Sequence, residues 1–532
     1  MASYLLVQSK KVYVDRKVKY GLYAVLLSVF GSALLSGNII SSFTGDTGRY
    51  AGAIGLFSLL IVGIFHSQFS WESFRILLRY YLITVAGIAL LGIAQHFEFL
   101  ELPGDHGVTA TFGNQDFFAA FLGVSAPLFF FLAIGASKRV QALLLGSYLL
   151  CIYAFYLSGP LQAYFDLAMT LVGIAIFALR KRIPRRKYAL NSRTFVGTLG
   201  LIIWAEFIFL IPFLGSWIPV LGNDVQMKIR SNFWLAGTRG FFSHPLFGLG
   251  PDQYGNHYEQ FRTDQDSRDY TQILSNDAHS ASVQTLSTLG IAGTVTIIFL
   301  IAILVRAYLI LWDSKPHMHK ELFALALFIF VYLTNAFVSP MTFPSKYLLW
   351  AVAGFLIGQV YLYNHGGETS SGVSLRIPVS LILVMTFFVG ANFTVAQYKY
   401  ATAFEKYAAN QKVGVDYRFN PFLPCFMYFE GKFNMVKNLG IEKIEALARA
   451  QTDANPRCVS SRIILAQIYE GTGDLQRLKE QIYNLVAIAP SRQQVLTIGM
   501  KYANQAGDQE LLSVLQRELS KRGLVYVPGT EG

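Results

Sequence analysis

The chain has 532 residues, of which 53% are hydrophobic and only 14% charged, with a mean hydropathy of +0.41. Soluble proteins carry about 25% charged residues, so an array of water-soluble domains is excluded and a polytopic membrane protein is expected. Three cysteines rule out a disulfide scaffold and argue against a structural zinc site, and the net charge of +12 is expected to mark cytoplasmic loops rather than a nucleic-acid surface.

Residues 1–19 hold Lys10, Lys11, Arg16, Lys17 and Lys19 and read as a cytoplasmic N-terminus ahead of a retained anchor. A spanning helix needs roughly 17–25 mostly apolar residues. Eleven segments qualify: 20–39, 51–67, 78–95, 116–135, 140–158, 161–179, 194–214, 289–310, 321–338, 345–363 and 377–395. The fifth and sixth are separated only by Ser158, Gly159 and Pro160, which predicts a helical hairpin. Arg75, Arg79, Lys138, Arg139, the run 180–187, Lys315, Lys320 and Arg376 all fall on one side of this arrangement, and that side is read as cytoplasmic. The expected order is spans one to seven over 20–214, an extracytoplasmic loop over 215–288, spans eight to eleven over 289–396, and an extracytoplasmic domain over 397–532. The localisation that follows is a cytoplasmic membrane crossed many times.

The tail is Ala-rich, charged and amphipathic. Helices are expected near 458–473, 475–489 and 495–506, punctuated by Gly-Asp at 473–474 and 507–508. A helix-turn-helix period near 34 residues is tetratricopeptide-like, and segment 397–445 is expected to supply a first repeat. Such solenoids bind partners on a concave face, so a protein partner is expected there. Cys425 and Cys458 both lie in this tail. A disulfide between them is chemically permitted, and both equally suit small buried apolar positions.

The loop carries "MKIRSNFWLAGTRGFFSHPLFGLGPDQYGNHYEQF" at 227–261 and "NDAHSASVQTLSTLGIAGT" at 276–294. Arg230, Phe233 and Trp234 suggest an amphipathic helix on the membrane surface. His279 is expected to open a helix that runs straight into span eight. Arg230 and Arg239 lie nine residues apart, on opposite sides of a continuous helix, unless Gly237 ends that helix between them. Arginine grips phosphate oxygens in a planar fork, and histidine can take a proton near neutral pH. Together they suit attack of a hydroxyl on a diphosphate-activated carbon, although a single interfacial histidine is more often structural. No cluster with metal-ligand spacing, phosphate-binding loop or dinucleotide fingerprint is present in the sequence, so no cofactor is expected.

Three segments, in order, resemble the O-antigen ligase and O-antigen polymerase family of bacterial envelope enzymes: "TATFGNQDFFAAFLG" at 109–123, "RSNFWLAGTRGFFSHPLFGLGPDQY" at 230–254 and "HSASVQTLSTLGIAG" at 279–293. The resemblance covers about 20–395 and implies glycosyl transfer at the outer leaflet. A glycan would pass from an undecaprenyl-type diphosphate lipid to a glycan or lipid acceptor hydroxyl, without metal or nucleotide sugar. His279 matches the family's base and Arg230 the arginine held to contact diphosphate. The role of Arg239 is inferred from its chemistry. Trp234, Asn114 and Gln162 are further substrate-binding candidates. The sequence departs from the family at Ser280, where Asn is usual, at Thr288, where Glu is usual, and at "LSGPLQAYFD" (157–166), where a Ser-Arg-Gly element is usual. Asp166 and Glu206 are ionisable residues within spans, where such groups are functional candidates or bonds between helices. The expected fold is all-α: a transmembrane helix bundle of about eleven spans, an ordered outer loop and a helical-repeat tail. The rival reading is a lipid or glycan transporter, marked by matching halves and interrupted helices at mid-depth.

Overall fold

The computed structural model describes residues 12–13, 16–45, 51–100, 107–133, 136–179, 225–270, 273–337, 339–365, 372–373 and 441–523. Spans seven and eleven, the basic run 180–187, Glu206, Cys425 and segment 397–440 lie outside them. The regular secondary structure of the described residues is helical, apart from a two-residue antiparallel pairing of Val12–Tyr13 with Gly372–Val373. Six of the described helices are long and apolar enough to cross a membrane. The chain divides into two compact units, one formed by 1–24, 58–213 and 297–380, the other by 25–57, 214–296 and 381–532. Helix α1 spans Arg16–Leu35, α2 Ile39–Thr44 and α3 Ala53–His66.

The first unit is a bundle of α4 (Trp71–His96), α5 (Gln115–Ala133), α6 (Lys138–Ser158), α7 (Leu161–Leu179), the 297–314 part of α11 (Ala281–Ser314), α12 (His319–Ala336) and α13 (Phe343–His365). On α4 the stripe Phe74, Leu78, Leu82, Val85 and Ala89 is buried at helical spacing, while Ile76, Tyr80, Ile83 and Leu90 on the other faces are exposed. A helix apolar on its outward faces belongs in lipid. Small residues let α3 and α13 approach closely: a Cβ on Gly354 or Gly358 would collide with the carbonyls of Gly63 and Ser67, the packing logic of Gly-x-x-x-Gly in membranes. The turn at Ser158–Pro160 forms as expected, with Gly159 in the left-handed region and its N–H bonded to Phe155 O. The expected hairpin does not. α6 and α7 each pack chiefly on α5 rather than on one another, because the short Gly-Pro turn lets them splay around it.

The second unit holds residues 25–35 of α1, α2, α8 (Val225–Ser243), α9 (Tyr254–Phe261), α10 (Asp264–Asp269), the start of α11, and the tail helices α14 (Ile441–Ala454), α15 (Val459–Thr472), α16 (Leu475–Ile488), α17 (Gln493–Ala506) and α18 (Gln509–Lys521). α11 does not run straight into its span as the sequence suggested: it breaks at Gly290 (φ 63°, ψ −159°). The turn after α8 fills the break. Ile291 and Ala292 donate their N–H groups to Pro245 O and Leu246 O at 2.8 and 3.1 Å, and Leu249 and Gly250 donate to Ser287 O and Thr288 O at 2.8 and 3.0 Å. Gly248 and Gly290 are the residues where these backbones touch, and a Cβ on either would lie 2.4–2.7 Å from main-chain atoms. In the tail, Gly473 and Gly507 end helices in the left-handed conformation, and the following Asp474 and Asp508 cap the next helix by accepting from Arg477 N and Leu511 N, each at 3.1 Å. α14, α16 and α18 begin 34 residues apart, as do α15 and α17. Cys458 is disulfide-bonded and Cys151 is free.

Candidate functional site

His279 sits in the turn before α11 with φ +51°, a left-handed conformation uncommon for a residue with a Cβ. Its N–H is held by Asp277 Oδ1 at 2.7 Å, and the neighbouring Ala278 N–H by Gln284 Oε1 at 2.8 Å. An Asx turn of this kind offers the backbone a local alternative to helix. α8 packs beside the turn because Gly237 has no side chain: a Cβ there would meet Val283 Cγ1 at 2.6 Å. The Phe233 ring then lies 5.1 Å from the His279 ring, and Trp234 Nε1 reaches His279 O at 3.5 Å. Arg230, half-buried, is one turn earlier on α8. Residues three and four apart share a helix face, so Arg230 belongs with the Phe233–Trp234 shelf that carries His279.

Two of the sequence expectations for α8 need correction. Phe233 and Trp234 are 4% and 7% exposed, so they form a protein contact and not the membrane-facing side of an amphipathic helix. Gly237 does not end the helix, which continues to Ser243. Arg239 consequently points away from Arg230. Its Nη1 donates to Phe261 O and Arg262 O at 3.3 and 3.2 Å, satisfying carbonyls left open at the end of α9.

α9 braces the shelf from behind. Tyr254 Oη donates to Phe233 O at 2.8 Å, and the Tyr258 ring packs edge-on against Phe233. Tyr258 Oη and Arg262 Nε both donate to Asp266 Oδ2, at 2.6 and 2.8 Å, in a pair whose side chains are each 1% exposed. Burial and the bond to Asp266 push the Tyr258 phenol upward. Burial, together with the Arg457 charge, pushes His257 down to about 3, so its imidazole is neutral at physiological pH, with Nδ1–H donated to Gln253 O at 2.9 Å. The far side of α9 meets the tail. Arg492 grips Glu259 through both carboxylate oxygens at 3.0 and 3.1 Å, Ser491 Oγ donates to Glu259 O at 2.8 Å, and Arg457 Nε donates to Asn256 O at 3.1 Å. Burial raises Glu259 while Arg492 pulls the other way, and burial lowers Arg457 to about 10.

Gln162 and Asn114 belong to the first unit. Gln162 donates its amide to Asn335 Oδ1, and Asn335 donates to Asp166 Oδ1, so these side chains tie α7 to α12. Asn114 Oδ1 accepts from Asp116 N and Phe117 N at 2.9 and 3.3 Å, which makes it the cap of α5. Ser280 is buried and caps α11, accepting weakly from Val283 N, and Thr288 turns its hydroxyl onto Gln284 O at 2.6 Å. Among the described residues no three His, Cys, Asp or Glu side chains are grouped to hold a metal. Three carboxylates of the loop are engaged with arginines: Glu259 with Arg492, Asp266 with Arg262, Asp264 with Arg522.

The sequence reading missed Phe233 as the partner of His279, Asp277 as its backbone clamp and α9 as the brace. Only Asp277 had a local signal, the Asp-x-His spacing of an Asx turn. Set against models of known protein families and against curated proteins, the chain matches none.

Proposed function

We propose that the chain is a glycosyltransferase of the O-antigen ligase or polymerase kind, working in the bacterial cytoplasmic membrane without metal. The observation that supports it best is the left-handed His279, clamped by Asp277 and packed at a tilt against Phe233, with Arg230 one turn along the same shelf. Strained backbone at a polar residue in a braced setting is characteristic of functional sites. His279 takes the proton of an acceptor hydroxyl as its oxygen attacks the sugar carbon of a lipid-diphosphate-linked glycan. The carbon–oxygen bond to diphosphate breaks, its electron pair leaves with the lipid diphosphate, and Arg230 neutralises that charge. Arg239, already used at the end of α9, is given a supporting part.

In this proposal eleven spans place the N-terminus in the cytoplasm, with the site and tail outside. The tail is a tetratricopeptide-like domain, supported by the 34-residue spacing of its helices, and it offers a surface to a protein partner. An interrupted span is also a mark of transporters. Here, however, the groups freed around Gly290 are taken up by the 245–250 backbone, which leaves less for a transported ion or substrate. The test is a strain lacking the chain. A polyprenyl-diphosphate-linked glycan should accumulate there, and wild-type protein but not Arg230→Lys should clear it. No accumulation would sink the proposal.

A further inference from the structure

The face of α8 opposite the Phe233–Trp234 shelf is exposed among the described residues. Leu235 is 47% and Phe242 72% exposed; seven residues apart, they lie two turns along one stripe. The turn that follows continues it with Leu246, 60% exposed, and Leu246 O accepts from Ala292 N at 3.1 Å. Leu246 therefore sits beside Ile291, at the start of the part of α11 that follows the break. Ile291 and Val295, one turn apart, are again exposed at 47% and 59%. On the other flank the Phe247 ring lies against Gly31 of α1. Both α1 and α11 are long and apolar enough to cross a membrane, so the turn is held at a level where spans begin.

Length sets that level. The stretch from Ile291 to Ser314 extends about 36 Å at 1.5 Å per residue, enough for a hydrocarbon core of about 30 Å. That places Ile291, and the turn bonded beside it, at the boundary between acyl chains and head groups. The exposed stripe of α8 also carries Lys228 and Arg239, the mixture of apolar and cationic residues that suits a helix lying in that layer. Charge and apolar continuity with two spans favour lipid over a second protein.

We infer that α8 and the 244–248 turn are seated in the membrane interface, with Leu235, Phe242 and Leu246 in the acyl boundary and Lys228 and Arg239 among anionic head groups. Arg230 and His279 then stand at head-group height, where an amphiphile reaches them by lateral diffusion. The inference does not depend on what reaction, if any, the site performs.

The test uses the full chain in vesicles of phosphatidylethanolamine and phosphatidylglycerol. Nitroxide labels go on cysteines replacing Phe242, Leu246 and, as a control on an exposed tail position, Glu480, and each is read against protein without the added cysteine. Labels at 242 and 246 should collide more with oxygen than with a water-soluble nickel chelate, and the Glu480 label should show the reverse. Nickel collisions at 242 and 246 matching the control would overturn the seat. So would shielding of both labels from both agents, which would mean a protein covers the face.

Discussion

His279 combines two properties that one substitution can separate. Alanine at a left-handed position adds backbone strain to the loss of the ring, whereas asparagine adopts that conformation more readily. His279→Asn should therefore keep normal abundance in the membrane and lose glycan transfer by on the order of 10²–10⁴-fold, the usual cost of removing a general base. Transfer within about threefold of wild type would remove His279 from the chemistry. The two arginines should part company as well. Arg230→Lys keeps the charge but not the fork and should lose most activity. Arg239→Lys can still reach the carbonyls of Phe261 and Arg262 and should lose little. His257 supplies a pH dependence of known sign. Its native value of about 3 lies below the usual 6.5, so the stability it contributes is present above pH 6.5 and lost as pH falls towards 3. By pH 5 the loss is on the order of 2 kcal/mol. Hydrogen exchange of 254–261, corrected for its intrinsic pH dependence, should report that opening. His257→Asn, which can still donate to Gln253 O but does not titrate, should flatten the profile.

At the break in α11, two peptide segments share their main-chain hydrogen bonds, and glycine is what lets them touch. Gly290, with φ 63° and ψ −159°, occupies a region reserved almost wholly for glycine, where strain for other residues is about 1–3 kcal/mol. A Cβ would add a collision with Leu246 O at 2.5 Å. Gly290→Ala should lower the thermal midpoint of the purified protein sharply and expose 245–250 to exchange. Gly471→Ala is the matched control, since a Cβ there meets nothing within 4 Å. In a helix it should be neutral or stabilising by up to about 1 kcal/mol. Equal effects of the two substitutions would mean that the interlocked turn carries no special stability. The helix α9 links neighbours in a similar way: its tyrosines hold the shelf and its Glu259 holds Arg492 of the tail, so the tail helices belong to the frame of the site.

For the molecule as a whole, topology is the expectation most open to direct test. Cys458 is disulfide-bonded, and disulfides persist in oxidising compartments. A membrane-impermeant reductant applied to intact spheroplasts should reduce it. Reduction only after the membrane is opened would put the tail in the cytoplasm and require an even number of spans. Metal dependence is equally direct. Glu259, Asp264 and Asp266 are engaged with arginines, and Arg230 can neutralise a leaving diphosphate, so transfer by purified protein should survive excess chelator. Loss on chelation with recovery on Mg²⁺ would overturn the proposed charge balance.

Membrane character, helix positions and the Gly-Asp punctuation of the tail were legible in the chain, because each rests on local composition or on a run of residues that one helix or turn contains. α5, α6 and α7 begin and end within a few residues of the expected limits, and Asp474 and Asp508 cap the helices their turns announced. Partnerships were not legible. Arg230 and His279 could be singled out by chemistry, but the packing of Phe233 against His279 depends on Gly237 letting α8 approach Val283. The break at Gly290 depends on a turn some forty residues earlier supplying the missing hydrogen bonds. The same holds for Gln162 and Asn114: their side chains suit a sugar hydroxyl, and in the fold one ties α7 to α12 while the other caps α5. A side chain's type states what it can bond, and packing between segments distant in sequence selects which bond it makes.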